Sequence, residues 1–342
     1  MRDLAFTHAI AALGVACFFA LDLPLPFLFG PMFACLLAAF AGFPLAALKP
    51  VNATMRTILG VAVGATITTS FLLALPSLWQ TLIFVPVSLL LIGGLGVPYF
   101  QRLCGYDFPT SYYAAMPGGL QDMLVFGEEA GGNLRAISLI HATRVLVIVI
   151  VLPVILLSVW DVDLTAPPGA PVTTIAEHEL ALMAFCAIAG WRIAKWAGLF
   201  GASILGPMVL AGMFSVAGLI TTRPPAEAIW AAQFFIGLTV GINYKGINLS
   251  ELRRDVVAGV GFCLLLSGIT ALCLQIIALT EVAPLQEALL ALTPGGQAEL
   301  VVLTIIIGAD VAFVVAHHVF RLLLVILGAP IAARVFGAKP LD

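Results

Sequence analysis

Two short stretches decide the fold: MPGGLQDM at residues 116–123 and TPGGQAEL at residues 293–300. Each stretch interrupts an apolar segment, over 108–130 in the first case and over 284–308 in the second. Proline lacks a backbone donor and glycine tolerates unusual dihedral angles, so a helix is expected to break at this sequence. The two stretches lie 177 residues apart. This spacing predicts that the chain holds two copies of one unit.

The sequence around these stretches is strongly apolar. Of the 342 residues, 62% are hydrophobic and 10% are charged, and the mean hydropathy is +1.13. Soluble globular chains average about 25% charged residues. The composition therefore excludes a soluble enzyme, and the net charge of −3 gives no basic face for a nucleic acid partner. It predicts an all-α polytopic membrane protein whose main partner is the lipid bilayer.

Ten further apolar segments have about the length that crosses a bilayer, which is roughly 20 residues. They cover 5–21, 27–48, 54–75, 78–99, 134–158, 179–196, 199–221, 228–246, 256–280 and 309–334. The first is interpreted as a transmembrane helix rather than a cleaved signal peptide. A polar, Pro-rich run separates the two halves. We therefore predict a first membrane repeat over 1–158, an extracytoplasmic linker over 159–174 and a second membrane repeat over 175–342.

Rare residues recur between the halves at nearly the same spacing. The matched pairs are Gly-Pro-Met at 30–32 and 206–208, Gly-x-x-x-Gly at 60–64 and 237–241, and His-x-x-Arg at 141–144 and 318–321. Glycines four residues apart let helices approach closely, so the second pair predicts close helix packing. The first pair predicts a kinked start of the second helix in each repeat.

The distribution of Lys and Arg predicts the relative orientation of the repeats. The linker region carries Asp and Glu without Lys or Arg, so it is expected outside the cell. The positive residues fall on the inner side, Arg223 excepted, if each half crosses five times and each Pro-Gly-Gly segment dips in and returns. The expected fold is therefore two inverted repeats of about five transmembrane helices, with both termini cytoplasmic. Whether the Pro-Gly-Gly segments are re-entrant or are crossing broken helices is left open.

The Pro-Gly-Gly segments are the first candidate site. The half-helix after the glycines offers free N–H groups and a positive dipole end, which suit an anion. The alternative is that the acids of the first turn merely cap each half-helix. The candidate substrate- or ion-binding residues here are Pro117, Gly118, Gly119, Gln121 and Asp122, and in the second half Pro294, Gly295, Gly296, Gln297 and Glu299.

The pairs His141/Arg144 and His318/Arg321 are the second candidate site. A spacing of three puts both side chains on one helix face, and both arginines lie in the middle of an apolar segment. A charge there costs about 2.5–3.5 kcal/mol, so each arginine needs a partner. Asp122 and Glu299 are the expected partners. The functional interpretation is an anionic substrate held by arginine with histidine relaying protons; the alternative is a structural ion-pair network.

These motifs resemble those of the AbrB-type duplicated membrane protein family. The resemblance covers nearly the whole chain, and the paired Pro-Gly-Gly motifs are its most specific part. It implies a multi-pass protein of the cell inner membrane, grouped with cation/proton antiporter and anion-transporter folds. Family members carry the labels of transcriptional regulators and of ammonia monooxygenases, and the resemblance supplies no substrate.

Inverted repeats with interrupted helices are typical of secondary transporters. The leading hypothesis is therefore a non-enzymatic transporter, coupled to H⁺ or Na⁺, for a small metabolite that is anionic if the arginines bind it. The first alternative is a membrane-embedded ligand sensor that affects gene expression indirectly. The last is a metal-dependent membrane monooxygenase. No ATP-binding or metal-binding motif is present, so no cofactor is expected. A homo-oligomeric state is left open.

Overall fold

A computed structural model of the protein describes residues 2–47, 49–165, 167–199 and 202–336. Within these ranges the regular structure is helical and contains no strand. We number the helices as follows: α1 Arg2–Ala20, α2 Pro26–Phe40, α3 Lys49–Gly64, α4 Thr69–Ala74, α5 Trp79–Leu103, α6 Phe108–Ala115, α7 Leu120–Glu129, α8 Leu134–Trp160, α9 over 177–196, α10 Ala202–Val216, α11 Ala226–Ile242, α12 Leu249–Thr280, α13 Leu285–Leu292, α14 Gln297–Ile306 and α15 Val311–Phe336.

Three of the long helices, α5, α9 and α12, contain a π-helical turn. These turns lie at Tyr99–Leu103 in α5, at Cys186–Gly190 in α9 and at Leu252–Val256 in α12. Short 3₁₀ turns occur at Leu75–Leu78 and Val172–Thr174.

The helix lengths fix part of the membrane assignment. Five described helices are long and apolar enough to cross a membrane: α1, α5, α8, α12 and the Val311–Ala329 part of α15. Helices α2 and α10 have 15 residues each, and at 1.5 Å per residue they are about 22 Å long. A bilayer core is about 30 Å thick. The expected total of ten crossings therefore stays a prediction.

The described residues form two compact units. The first unit draws on Met1–Pro76, Asp161–Gly246 and Ala298–Ala312, and the second on Ser77–Trp160, Ile247–Gln297 and Phe313–Asp342. Each unit takes helices from both halves of the sequence. The division into two sequence repeats and a linker is a different division of the chain and stays a prediction.

In the first unit, the Gly-x-x-x-Gly glycines pack against helix backbones of the opposite sequence half. A Cβ atom added to Gly64 of α3 would lie 2.5 Å from the Met208 carbonyl oxygen of α10. One added to Gly241 of α11 would lie 2.5 Å from the Met32 carbonyl oxygen of α2. Real Cβ atoms do not approach this closely, so only glycine fits. The close packing predicted for these glycines is confirmed.

The Gly-Pro-Met motifs lie at a second pair of close approaches in the same unit. Gly30 of α2 packs on the backbone of Gly14 in α1, and Gly206 of α10 packs on that of Gly190 in α9. A Cβ atom at Gly30 would lie 2.7 Å from the Gly14 carbonyl carbon, and one at Gly190 would lie 2.7 Å from that of Gly206. The same glycine–glycine backbone contact thus occurs at matching positions in the two halves of the sequence.

In the second unit, an aromatic cluster holds α6 in place. Phe100 and Phe262 pack with their ring centroids 4.8 Å apart, which joins α5 to α12. Tyr112 of α6 donates its hydroxyl hydrogen to the Ala329 carbonyl of α15 at 2.9 Å. Tyr106, just before α6, donates to the Asp255 carboxylate at 2.6 Å. These bonds position the helix that ends at the first Pro-Gly-Gly segment.

Candidate functional site

The two Pro-Gly-Gly segments interrupt the helices at matching positions. Helix α6 ends at Ala115 and α7 begins at Leu120, while α13 ends at Leu292 and α14 begins at Gln297. The residue after each first half-helix has the same extended conformation, with ψ 126° at Met116 and ψ 124° at Thr293. These breaks leave the last carbonyl groups of α6 and α13 without helical partners.

A tight turn follows in both segments. The Gly118 N–H donates to the Met116 carbonyl at 2.9 Å, and the Gly295 N–H donates to the Thr293 carbonyl at 2.9 Å. Pro117, Gly118, Pro294 and Gly295 are buried, whereas Gly119 and Gly296 are partly exposed. The two segments therefore have the same local hydrogen bonding.

The two histidines make equivalent hydrogen bonds to the half-helices. His141 Nε2 lies 2.9 Å from the Tyr113 carbonyl oxygen of α6, and His318 Nε2 lies 3.0 Å from the Leu290 carbonyl oxygen of α13. A carbonyl oxygen only accepts, so Nε2 carries the hydrogen in both rings. Each Nδ1 atom is buried without a hydrogen-bond partner. In the neutral ring this atom is a free acceptor.

The two arginines bind the ends of the same half-helices. Arg144 donates from Nη1 to the Met116 carbonyl and from Nη2 to the Gly118 carbonyl, both at 3.4 Å. Arg321 donates from Nη1 to the Thr293 carbonyl at 2.9 Å. A cation at the C-terminal end of a helix is favoured by the helix dipole. Each arginine therefore binds a helix end that the proline and glycines created.

These acceptors replace the carboxylate expected for Arg144. Within the described residues Asp122 forms no ion pair with an arginine, whereas Arg135 pairs with Glu251 at 2.9 Å. The Asp122 Oδ2 atom is buried without a hydrogen-bond partner. The expectation that Asp122 neutralises an arginine was therefore wrong. It overlooked the carbonyl groups that the helix break supplies.

The two guanidinium groups keep unused donors. The Nε atoms of Arg144 and Arg321 are both buried without a partner, and the side chains are only 3% and 5% exposed. A buried guanidinium group with a spare donor is suited to an anion, because an anion supplies both an acceptor and the opposite charge.

The remaining predicted residues have mixed surroundings. The Gln297 Nε2 atom is buried without a partner. Glu299 is buried in the first compact unit, whereas the histidines and arginines belong to the second. The side chain of Gln121 lies outside the described residues. Among the residues that are described, no three of His, Cys, Asp and Glu are placed to hold a metal ion.

Three further features were not predicted from the sequence. The carbonyl groups that accept hydrogen bonds from these histidines and arginines lie 28 residues earlier in the sequence in both halves. This spacing could have been read from the duplicated motifs. Cys263 of α12 is close enough to Arg144 for the two to interact electrostatically. In the first unit, Gln233 is 2% exposed and its Nε2 atom has no partner.

His317 has a local role. Its Nδ1 atom lies 2.8 Å from the Phe313 carbonyl oxygen, and its Nε2 atom lies 2.9 Å from the Thr81 hydroxyl. Both ring nitrogens are therefore occupied, unlike those of His141 and His318. The difference agrees with the lack of a histidine at the matching position of the first half, which is Ile140.

Comparison with known proteins places this arrangement in a family. A family model described as "Transition state regulatory protein AbrB" matches residues 27–337. The chain belongs to the AbrB family. The "Uncharacterized protein YhjN" of Bacillus subtilis (strain 168) is 27% identical over 292 residues, which cover 80% of this chain and 76% of the relative. The "Putative regulator AbrB" of Escherichia coli (strain K12) is 24% identical over 331 residues, 93% of this chain and 91% of the relative.

Proposed function

We propose that this AbrB family protein is a membrane secondary transporter for a small organic anion, coupled to H⁺ or Na⁺. The observation that carries the proposal is the pair of buried guanidinium groups, Arg144 and Arg321, bound to backbone carbonyls and not neutralised by Asp122. A net positive site in the middle of a membrane protein is costly when empty. An anionic substrate removes that cost.

The proposed architecture is a pair of inverted repeats. Helices α6, α7 and α8 each begin 177 residues before α13, α14 and α15, which supports the duplication. The alternating positions of Lys and Arg favour opposite orientations of the two repeats, ten crossings and cytoplasmic termini at the inner membrane. The Pro-Gly-Gly segments enter the membrane as re-entrant or broken elements, and the substrate binds where they end.

The histidines supply a route for proton coupling. The free Nδ1 atoms of His141 and His318 are positioned one helical turn from the arginines on α8 and α15. When the substrate anion offsets the charge of the arginines, protonation of a histidine becomes less costly. Anion and proton are then bound together, and their combined charge is smaller than that of the anion alone.

Counterflow in proteoliposomes tests the proposal. Vesicles loaded with an unlabelled carboxylate or sulfonate are diluted into the labelled compound, with a panel of such anions at two pH values. Uptake above that of empty vesicles is expected for one class of anion, and it is expected to be lost in Arg144→Gln and Arg321→Gln. The matched control is Arg135→Gln, which changes an exposed arginine on the same helix as Arg144. Normal uptake by both site variants would refute the assignment.

The second candidate is a membrane sensor that binds a ligand without moving it. In its favour is the name of the Escherichia coli relative, which describes a regulator. The chain offers no basic face for DNA, so any effect on transcription would be indirect. Ligand binding that depends on Arg144 and Arg321, together with absent counterflow in sealed vesicles, would favour the sensor over the transporter.

A further inference from the structure

A pocket with two arginines lies at the start of α12 in the second unit. It has a volume of about 650 Å³ and is lined by Leu249, Ser250, Arg253 and Arg254. All four residues are exposed. The pocket therefore combines two positive charges with an exposed apolar side chain. This combination is typical of the boundary between the hydrocarbon core of a bilayer and its head groups.

The acidic residues next to the pocket arginines already have partners. The Glu251 carboxylate accepts two hydrogen bonds from the Arg135 guanidinium, at 2.9 and 3.2 Å. The Asp255 carboxylate is buried and accepts the hydroxyl hydrogen of Tyr106 at 2.6 Å. In the part of the chain that the structure describes, no carboxylate forms a salt bridge with either pocket arginine. The pocket therefore keeps two positive charges that no ion pair neutralises.

Neutral groups hold the guanidinium of Arg254 in place. Its central carbon lies 4.5 Å from the centre of the Tyr106 ring, which is a cation–π contact. Its Nη2 atom donates to the Gly105 carbonyl oxygen at 3.4 Å. These contacts orient the guanidinium and leave its charge in place. An anion in the pocket would therefore meet a positioned donor.

The length of α12 places the pocket at the depth of the lipid head groups. The helix is a candidate membrane span of 32 residues, which is about 48 Å at 1.5 Å per residue. A bilayer core is about 30 Å thick, and each head-group layer adds about 5–8 Å. The apolar part Val257–Thr280 is long enough for the core. Arg253 lies four residues before this part, which is about 6 Å along the helix axis.

An exposed apolar face continues from the pocket along α12. Val257, Val260 and Leu264 are all exposed, and their spacing of three and four residues places them on one face of the helix. Val257 lies about one helical turn after Arg253. A lipid whose phosphate binds in the pocket can therefore extend its acyl chains over this face.

We propose that the pocket binds the head group of an anionic phospholipid, with the phosphate at Arg253 and Arg254 and the acyl chains on the exposed face of α12. The positions of Lys and Arg predict this end of α12 on the inner side of the membrane. Anionic lipids give that side its negative surface potential. The unpaired arginines select the phosphate, and the exposed apolar side chains favour a lipid over a free phosphate ion.

This lipid site shares no residue with the arginine pair Arg144 and Arg321. Its test therefore measures lipid binding and does not depend on transport.

Competition for a fluorescent phosphatidylglycerol, bound to the full chain in mixed micelles, provides the measurement. The unlabelled competitors are phosphatidylglycerol, phosphatidylcholine with the same acyl chains, and inorganic phosphate. One arginine near an anionic lipid surface changes affinity about fivefold. Arg253→Gln and Arg254→Gln should therefore each weaken phosphatidylglycerol binding about fivefold, and the double variant about 25-fold. Arg192→Gln removes another exposed arginine, on α9, and is the matched control; its affinity should stay within about twofold of the original.

Arg254→Lys separates loss of charge from a disturbance of the fold. Lysine keeps the positive charge but lacks the planar donors of the guanidinium. It should therefore weaken phosphatidylglycerol binding less than Arg254→Gln does. An equal loss in the two variants would show that charge does not hold the lipid and would contradict the proposal.

Three other results would overturn the lipid site. If Arg192→Gln weakens phosphatidylglycerol binding as much as the pocket variants do, the lipid responds only to the overall charge of the protein. If phosphatidylcholine competes as well as phosphatidylglycerol, the pocket does not select an anionic head group. If inorganic phosphate competes at the same concentration as phosphatidylglycerol, the pocket is a site for free phosphate and the acyl chains contribute nothing.

Discussion

Replacing Arg144 with methionine should stabilise the empty protein while abolishing transport. Methionine fills the space of the arginine stem and removes the charge. Removal of a charge from the middle of a membrane helix is worth about 2.5–3.5 kcal/mol. The two hydrogen bonds that are lost are both 3.4 Å long, beyond the usual range of about 2.7–3.2 Å. We assign them about 0.5–1 kcal/mol each, below the value of well-formed charged bonds. The free energy of unfolding should therefore rise by about 0.5–2.5 kcal/mol.

Arg321→Met provides an internal comparison. Arg321 makes a single hydrogen bond, but at 2.9 Å it is well formed, and its loss costs about 1.5–3 kcal/mol. The expected change is therefore about −0.5 to +2 kcal/mol, centred below that of Arg144→Met, so Arg144→Met should gain more stability than Arg321→Met. Reversible unfolding in mixed micelles measures both, and counterflow should be absent in both.

A structural role for the arginines gives the opposite result. If each guanidinium group locks the helix ends together, Arg144→Met should lower the free energy of unfolding by several kcal/mol, as breaking a buried charged network does. The control is Arg135→Met, where an ion pair with a 41% exposed side chain contributes about 0–1 kcal/mol. A loss in Arg144→Met well beyond that of the control would refute the reasoning.

Three further predictions concern stability and binding. Gly241→Ala should lower the free energy of unfolding by about 1–3 kcal/mol, because its Cβ atom would collide with the backbone of α2; Gly268→Ala, in open surroundings, should leave it unchanged in the same unfolding assay. Glu179→Gln should cost about 1–3 kcal/mol, because both carboxylate oxygens accept hydrogen bonds from Thr221 and Thr222, whereas the glutamine amide has one oxygen and an NH2 group that only donates. His141→Gln should retain anion binding but lose the dependence of uptake on a pH gradient. Counterflow measures the first property, and uptake driven by a pH gradient measures the second.

The sequence alone predicted the helices of this fold well where turn residues marked their ends. The expected segment 134–158 corresponds to α8, Leu134–Trp160, and 256–280 corresponds to the apolar part of α12. Length was the signal, because an apolar helix shows little periodicity. The segment 27–48 was too long, since α2 ends at Phe40 and Gly42 has φ 79°. Hydropathy does not detect such a turn when the residues after it are also apolar.

The sequence predicted the shared helix face and the buried position of His141 and Arg144, but not the groups to which they bind. The spacing of His141 and Arg144 correctly indicated one face of α8, and burial of the two side chains follows from their position in the span. The rule that a buried charge requires a carboxylate pointed to Asp122, and it was wrong for this site. The rule holds for an intact helix bundle, where the backbone has no free acceptors.

A helix break removes the need for a carboxylate, and the Pro-Gly-Gly motifs in the sequence already indicated the break. Proline and two glycines end the half-helix and free its last carbonyl groups, and those groups lie at the negative end of a dipole. A cation on a neighbouring helix can then be held without a carboxylate, so its charge remains available to a ligand. The same arrangement recurs 177 residues later, where His318 binds the Leu290 carbonyl and Arg321 binds the Thr293 carbonyl. This recurrence argues against a chance contact. A structural ion pair would neutralise the arginines, whereas backbone carbonyls leave their positive charge in place, and this supports the proposed anion.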